Sequence, residues 1–294
     1  MDQIKKIAFH QLLVIKNIKP MEKIKVLIPT DFTVQAEFAY IVVNNLSKTS
    51  SMEIHFLHVM NFPDTVTLDL NGTISTCGEI DKSYVESQVE IAKRKLNQLQ
   101  TLYGADKFIH LQIGKTNNTI IDFAEKNKFD LIAMGTKGAW GLKEKISGTE
   151  TQLVARKSNV PVLSLMCDRS NLELKNILLV HQFGEEINQE LTLLKKIISD
   201  FKPKLHFLQV AKNNTEEDIK SDMEKFARAH NLPEFEAHIL HDKDVESGVI
   251  HFNQMNNMDM VCIGTHGKGN FFHSSATEKL INHMFKPIIS FHIN

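Results

Sequence analysis

The amino-acid sequence predicts an α/β fold in which two doubly wound domains follow one another, each with a five-stranded parallel sheet flanked by helices. Three observations support this prediction. Strand-like runs alternate with helix-like segments along the chain. The strand-like runs are apolar almost throughout rather than at every second residue, which is typical of parallel strands covered on both faces. The same order of segments then occurs a second time.

The first half of the chain contains five predicted strands with helices between them. The strand segments are KIKVLIPTDF from residue 23, EIHFLHV at 53–59, FIHLQI at 108–113, DLIAM at 130–134 and PVLSLM at 161–166. Apolar residues recur at helical spacing around 34–46, 85–102 and 120–124, and Thr33 is the expected N-cap of the first helix. The segment 61–81 contains Pro63, Gly72 and Gly78 without a clear period, so we predict a long loop there.

The second half repeats this pattern. KNILLVHQF at 175–183 resembles the first strand, and KLHFLQV at 204–210 resembles the second strand at the same offset of 151 residues. MDMVCIGTHG at 258–267 matches FDLIAMGTKG at 129–138, and KPIISF at 286–291 matches VPVLSL at 160–165. Four-residue spacing predicts a helix through Ile187, Leu191, Leu194 and Ile198. A repeat of this length indicates duplication of a whole domain. We therefore predict a loose extension over 1–20 and domains over 21–168 and 172–294.

The most informative stretch of the first half reads GTKGAWGLKEKISGT. Gly135, Gly138 and Gly148 are followed directly by Thr149, which makes a G-x2-G-x9-G-T pattern. A buried strand ending at Met134 precedes it, and the predicted helix TETQLVARKSNV overlaps its last residue. Glycine lets the backbone approach an anion, while loop amides and a helix N-terminus supply positive potential. The arrangement indicates phosphate binding, whereas a lone pair of glycines would more simply indicate a turn.

The composition is that of a soluble globular protein and indicates no particular macromolecular partner. The 294 residues are 42% hydrophobic and 23% charged with a formal net charge of -1, which argues against nucleic acid and against an anionic membrane. No run approaches the roughly 20 apolar residues of a membrane span. The three cysteines lack zinc-ligand spacing and indicate a reducing compartment. We therefore expect a cytoplasmic location, since the start of the chain has no small-residue cleavage site.

These motifs resemble the universal stress protein family in its two-domain form. ATP-binding members of that family carry the same glycine spacing between the fourth strand and its helix, and their first strand ends in a segment like Pro29-Thr30-Asp31. The resemblance implies that adenine nucleotide lies across the carboxyl ends of the strands, where open α/β sheets generally bind ligands. The binding residues implied are Pro29, Thr30, Asp31, Val59, Met134, Gly135, Gly138, Gly148 and Thr149.

The resemblance also implies a role for several of these residues. The segment 29–31 would lie beside the adenine and ribose, Val59 would pack on the base, and Thr149 would contact phosphate. The implied ligand is ATP, or AMP or ADP, and Mg²⁺ could accompany it. Lys137 and Lys143 could add positive charge near a polyphosphate, although the family pattern does not require them.

The second half departs from the family pattern. Val180-His181-Gln182 replaces the segment 29–31, so the carboxylate is missing. Gly264 and Gly267 are kept, but the third glycine is missing. Aligning the following helices puts Ser274 in its place with a loop three residues shorter, whereas counting forward from Gly267 puts Thr277 there. A Cβ atom there should hinder close approach of the backbone to an anion. We expect this half to bind nucleotide weakly or not at all, and to pair with the first half through PVLSLM and PIISFHI as single-domain relatives pair with one another.

Neither a catalytic group nor a metal site is predicted. Asp31 could act as a base, but spacing provides no histidine or second acid beside it, so orienting a ligand or capping a helix is favoured. Ten of the fourteen histidines lie in the second half without HxxxH or HExxH spacing. His181 and His266 could face the second-half cleft, because they stand where the first half has a threonine and a lysine.

The function predicted from the sequence is that of a stress-response or regulatory protein which binds ATP in its first half. Such a protein would act through a conformational change or an unidentified protein partner, as a single chain or a homodimer, and would not be an enzyme. Two alternatives remain open at this point. The chain could be an interaction scaffold that binds no nucleotide, or a slow ATP hydrolase.

Overall fold

The structure is a computed structural model that describes residues 23–69, 73–77, 80–136, 149–184, 191–211, 215–266 and 271–293. Strands and helices alternate along its first half. The strands of this half are β1 (Ile24–Pro29), β2 (Met52–Met60), β3 (Val66–Leu68), β4 (Ile74–Thr76), β5 (Phe108–Ile113), β6 (Leu131–Gly135) and β7 (Val162–Leu165). The helices are α1 (Val34–Leu46), α2 (Lys82–Tyr103), α3 (Thr116–Lys126) and α4 (Glu150–Lys157).

The second half follows the same alternation without a counterpart of the short strands β3 and β4 in its described part. Its strands are β8 (Asn176–Val180), β9 (Lys204–Ala211), β10 (Phe235–His241), β11 (Met260–His266) and β12 (Ile288–Ile293). Its helices are α5 (Thr192–Phe201), α6 (Glu216–Ala229), α7 (Val245–Asn256) and α8 (Phe271–His283).

Ten of the described strands form one continuous sheet in the order β10-β9-β8-β11-β12-β7-β6-β1-β2-β5. All neighbours in the sheet are parallel except β12 and β7, which run antiparallel with Ile289 opposite Leu163. The sheet therefore consists of two five-stranded parallel halves with the same strand order, joined edge to edge. This confirms the predicted α/β class, and the predicted contact between PVLSLM and PIISFHI is present as the β7–β12 pair.

Apolar side chains cover both faces of the sheet. Leu27 and Ile28 are neighbours in β1, and both are fully buried although they belong to clusters on opposite faces. The cluster with Ile28 includes apolar residues of α1 and α5, and the cluster with Leu27 includes residues of α3, α4, α7 and α8. Helices on both faces explain why the strands are apolar at successive positions rather than alternating.

Side chains add to the contact between the two halves. The Asn45 amide donates to the carbonyl of Leu172 at 2.8 Å, and the Gln152 amide donates to the carbonyl of Glu278 at 2.7 Å. The Ser290 hydroxyl donates to the carbonyl of Val162 across the β7–β12 pair at 3.3 Å. The halves are thus joined by helices α1 and α4 as well as by the sheet.

The structure corrects the prediction of a plain loop over 61–81. Within that segment, β3 and β4 form an antiparallel hairpin in which Val66 lies opposite Thr76. Val66 and Ile74 are buried in a small cluster with residues of α2, such as Val85 and Val89. Strands of three residues are too short to show an alternating pattern, so the sequence alone did not reveal them.

The structure describes only part of the remaining predicted segments. Helix α5 begins at Thr192, and Ile187 lies outside the described residues, as do the predicted extension 1–20 and most of the glycine loop. Thr33 stands at the N-cap position of α1, but its side chain makes no capping hydrogen bond. Within the described ranges, no helix is long and apolar enough to cross a membrane.

Candidate functional site

A cavity of about 510 Å³ opens where β1, β2 and β6 end. Seven of the nine residues predicted to bind nucleotide line it. They are Pro29, Thr30, Asp31, Val59, Met134, Gly135 and Thr149. The other two, Gly138 and Gly148, lie outside the described residues together with Lys137 and Lys143. Because the carboxyl ends of neighbouring parallel strands meet at one edge of a sheet, residues far apart in sequence converge on this cavity.

The cavity wall combines apolar and hydroxyl-bearing side chains. Leu57, Val59, Ile120 and Met134 contribute apolar surface. The hydroxyl groups belong to Thr30, Thr33, Thr116, Thr136, Thr149 and Thr151. A mainly apolar pocket with a few polar groups is the usual form of a small-molecule site. The wall can therefore accept a ligand that has a flat apolar ring and a polar, anionic group.

Asp31 organises the turn between β1 and α1. Its Oδ1 atom accepts hydrogen bonds from the Thr33 amide at 3.0 Å and the Thr33 hydroxyl at 2.5 Å. The carboxylate, not Thr33, thus satisfies an amide group at the start of the helix, which corrects the predicted cap. Phe32 between them adopts a positive φ of 64°, a conformation uncommon outside glycine. Asp31 has a structural role whether or not it contacts a ligand.

His58 fixes the end of β1 and was not recognised from the sequence. Its Nδ1 atom lies 2.7 Å from the carbonyl oxygen of Thr30, so Nδ1 carries the proton and donates. Its ring packs 4.5 Å from the ring of Phe32. Burial lowers the pKa of His58, against the opposing effect of the bond to Thr30. The ring is therefore neutral near pH 7, and its position in the cavity wall follows from the bond to Thr30.

Gly135 is required by packing at the end of β6. A Cβ atom built at this position would lie 1.8 Å from the carbonyl oxygen of Gln35 and 2.3 Å from its carbonyl carbon. No side chain can occupy that space unless the start of α1 moves. The glycine predicted to cradle phosphate is therefore also needed to seat α1 against the sheet.

The N-terminus of α4 faces the same cavity. Thr149 is its N-cap, and the Thr149 hydroxyl accepts a hydrogen bond from the Gln152 amide at 3.2 Å. The Gln152 side chain accepts one from the Thr149 amide at 2.7 Å, which completes a capping box. The Thr149 hydroxyl proton is not used in these two bonds and can still be donated. The predicted helix after the glycine loop is confirmed.

The corresponding place in the second half holds only a small cavity between the residues that the structure describes. Its cavity has a volume of only about 10 Å³ and is lined by residues that include His181, Gln182 and Gly264. That volume hardly holds one water molecule. His181 is buried, with its ring 5.5 Å from that of Phe183 and 5.4 Å from that of Phe226. His181 thus borders this small space as predicted, while the His266 side chain lies outside the described residues.

Several cavity residues escaped the sequence reasoning. Gln35, Ala36, His58, Thr116, Ile120, Thr136, Glu150 and Thr151 also line the cavity. Thr116 and Ile120 could have been found, because their helix follows β5, whose end neighbours that of β2. Gln35 and Ala36 reach the cavity because α1 packs against the sheet, and no local sequence pattern predicts that packing.

Comparison with known proteins identifies the class to which this fold and site belong. The model of the universal stress protein family matches residues 24–165. Universal stress protein MJ0577 of Methanocaldococcus jannaschii is 31% identical over 150 residues, covering 47% of this chain and 92% of that protein. MJ0531 of the same organism is 29% identical over 140 residues, covering 47% of this chain and 79% of that protein. The chain belongs to the universal stress protein family.

Solved structures show the same fold over nearly the whole chain. A universal stress protein from Archaeoglobus fulgidus aligns with a TM-score of 0.70 and 20% identity, covering 92% of this chain and 96% of that one. A second such protein, from Pseudomonas aeruginosa, aligns with a TM-score of 0.59 and 14% identity, covering 93% and 94%. The likeness therefore extends over both halves of the sheet.

Proposed function

We propose that the first half binds an adenine nucleotide, with ATP as the principal candidate, in the cavity at the ends of β1, β2 and β6. One observation carries the proposal: the residues that the family motif implies, and that the structure describes, all line this one cavity. Its volume of about 510 Å³ falls within the usual range for small-molecule sites.

The chemistry of the wall suits such a ligand. The apolar side chains of Val59 and Ile120 offer a surface for a purine ring. The Thr149 hydroxyl offers a donor for phosphate oxygens, and the dipole of α4 favours an anion at this end of the helix. The segment 29–31 would adjoin the ribose.

Two carboxylates in the cavity wall favour binding of the nucleotide together with Mg²⁺. Asp31 and Glu150 both line the cavity. Their negative charges oppose a polyphosphate, and Mg²⁺ would offset that repulsion, since carboxylate and phosphate oxygens are its preferred ligands. ATP should therefore bind more tightly with Mg²⁺ than with EDTA, whereas AMP should show a smaller difference.

The second half would serve as the built-in pairing partner of the first. Between the described residues, its equivalent cavity has a volume of only about 10 Å³. The output proposed for the protein is regulatory: the nucleotide stabilises the state that binds it better, and that state engages a partner in a cytoplasmic stress response. No chemical step is needed for this role.

The first test looks for nucleotide directly. The purified protein is denatured, any released ATP, ADP or AMP is separated by chromatography, and ATP is titrated into the emptied protein by calorimetry. Release of nucleotide, or heat that saturates at millimolar ATP or below, supports the proposal. Neither release nor heat at millimolar ATP would leave the interaction scaffold as the better function.

Two matched variants test which half binds. Gly148→Leu should abolish ATP binding, and Ser274→Leu at the corresponding second-half position should leave it unchanged. Equal loss in both variants would overturn the assignment to the first half. If purified protein releases phosphate from ATP, and Asp31→Ala stops this while binding persists, the protein is a slow hydrolase.

A further inference from the structure

Three side chains on β9 and β10 converge at a point that belongs to neither cleft described above. His206 Nδ1 lies 3.0 Å from His238 Nε2 and 3.3 Å from Glu236 Oε2. His238 Nε2 lies 4.0 Å from the same carboxylate oxygen. All three are potential metal-ligating atoms. Sequence spacing did not reveal them, because His206 and the other two residues come from different strands.

These separations match the geometry of a bound zinc ion. Zn²⁺ in proteins takes four ligands in a tetrahedron at about 2.0–2.2 Å from nitrogen and oxygen, which places neighbouring ligand atoms about 3.3–3.6 Å apart. The three observed separations, 3.0, 3.3 and 4.0 Å, bracket that spacing. An ion could therefore enter with shifts of a few tenths of an ångström in each side chain.

The surroundings of His206 orient its ring for ligation. Its other ring nitrogen, Nε2, lies 3.3 Å from the amide oxygen of Asn176. An amide oxygen only accepts, so Nε2 carries the proton and Nδ1 presents its lone pair to the cluster. Metal-bound histidines are typically held by such a bond from the second nitrogen. Burial of His206, at 5% exposure, further limits its movement.

The other two ligands are held less tightly. Because His206 Nδ1 accepts in their 3.0 Å contact, His238 Nε2 carries a proton, which would move to His238 Nδ1 when Nε2 binds an ion. The His238 ring packs 4.6 Å from that of Phe252 on α7. Lys204 binds the Oε1 atom of Glu236 at 2.5 Å and leaves Oε2 for the cluster.

The first half contains the same histidine pair without the third ligand. His55 Nδ1 lies 2.9 Å from His110 Nε2, on the equivalent strands β2 and β5. Phe108 occupies the position that Glu236 has in the second half, since it lies opposite His55 as Glu236 lies opposite His206. The ring of Phe108 stacks on that of His55 at a centroid distance of 4.5 Å. The carboxylate of Glu53 contacts the opposite nitrogen of His55, 2.8 Å from Nε2. The first-half pair therefore provides a natural control.

We propose that His206, Glu236 and His238 bind a zinc ion, with the fourth position open to water. Two histidines and one carboxylate form a known zinc ligand set. The site lies at an edge of the sheet, since β10 is the outermost strand of the second half. It gives the second half a ligand of its own, independent of the nucleotide proposed for the first half.

The test uses the full-length protein without a histidine tag, stripped with EDTA and dialysed. Zn²⁺ is titrated against a chromophoric chelator, and Co²⁺ is added separately to look for the intense visible absorption of tetrahedral cobalt. We expect one equivalent of Zn²⁺ to bind and the cobalt spectrum to appear. Failure of Zn²⁺ to bind stoichiometrically would overturn the proposal.

Variants then locate the binding. His238→Ala and Glu236→Gln should each weaken Zn²⁺ binding by at least about 10-fold. Loss of a residue that only supports a metal ligand already costs about 10-fold or more in affinity, and these two residues would be ligands themselves. Glu236→Gln keeps the shape of an exposed side chain, so it should fold even if His238→Ala does not. His110→Ala, the matched change in the first half, should leave affinity unchanged. Unchanged affinity in Glu236→Gln, or equal loss in His110→Ala, would refute the assignment.

Discussion

Replacing Gly135 by alanine tests whether the end of β6 and the start of α1 pack as closely as the structure shows. The added Cβ would lie 1.8 Å from the carbonyl oxygen of Gln35, whereas ordinary contact begins at 3.4 Å. The two segments must therefore separate by about 1.6 Å, the difference between these distances. The contact is with backbone, so no rotamer change relieves it. Overpacking of this kind costs about 1–3 kcal/mol, and we expect a value near the upper end.

Urea unfolding monitored by circular dichroism measures this loss, and a thermal melt should show a fall of roughly 3–5 °C. Gly184→Ala is the matched control, because the nearest atom to its new Cβ is Oδ2 of the flexible Asp222 side chain at 3.0 Å. That variant should stay within about 0.5 kcal/mol of the parent. Gly135→Ala should also weaken ATP binding, since α1 forms part of the cavity wall. Equal unfolding midpoints for Gly135→Ala and the parent would refute the reasoning.

Two further predictions concern single side chains. Asp31→Ala removes the acceptor for two groups of Thr33 and should lower stability by about 0.5–2 kcal/mol, whereas Asp31→Asn keeps an acceptor oxygen and should lose less; equal losses in urea unfolding would contradict this role. Burial, followed by His55 and Lys25, lowers the pKa of His110 to about 4. The unfolded chain therefore takes up the proton first, so stability should fall as the pH drops from about 6.5 towards 4. The part of this loss that is due to His110 should be about 1–2 kcal/mol between pH 7 and pH 5, allowing for partial exposure. His110→Asn should remove that part, whereas the exposed control His241→Asn should keep it; identical pH profiles in all three proteins would exclude the assignment.

The parts of the fold that could be predicted are those that a local pattern encodes. The strands β1, β2, β6 and β7 are mostly buried, and such runs are visible as nearly continuous apolar segments. The edge strand β5 is only half-buried, and its shorter run FIHLQI is still recognisable as a strand. The candidate site was predictable for a related reason. Its residues stand at strand ends or beside the glycine loop, and the carboxyl ends of neighbouring parallel strands meet at one edge.

The parts that escaped prediction depend on packing and register. The wall residue His58 could be placed on β2, but its bond to the Thr30 carbonyl depends on how β2 pairs with β1. The histidine cluster requires the register of β9 against β10, which sets Glu236 opposite His206. The close approach of Gln35 to Gly135 requires the position of a whole helix. None of these relations leaves a period or motif in the sequence.

Gln152 connects the candidate site with the second half and offers a final prediction. Its Oε1 accepts from the Thr149 amide at 2.7 Å, while its Nε2 donates to the Glu278 carbonyl of α8 at 2.7 Å. Gln152→Glu keeps the acceptor of the capping box but replaces the donor by a carboxylate oxygen facing a carbonyl.

Because Gln152 is buried at 6% exposure, losing that donor should cost about 1–3 kcal/mol in urea unfolding. The cap at the cavity should persist, so ATP affinity should change less than in Thr149→Ala, which removes the cap hydroxyl itself. If Gln152→Glu instead abolishes ATP binding while stability is unchanged, the side chain acts on the ligand and not between the halves. Gln152 thus contacts both the cap of α4 and helix α8. A ligand bound at Thr149 would affect the second half through this residue, because any movement of α4 displaces the amide group that donates to the Glu278 carbonyl.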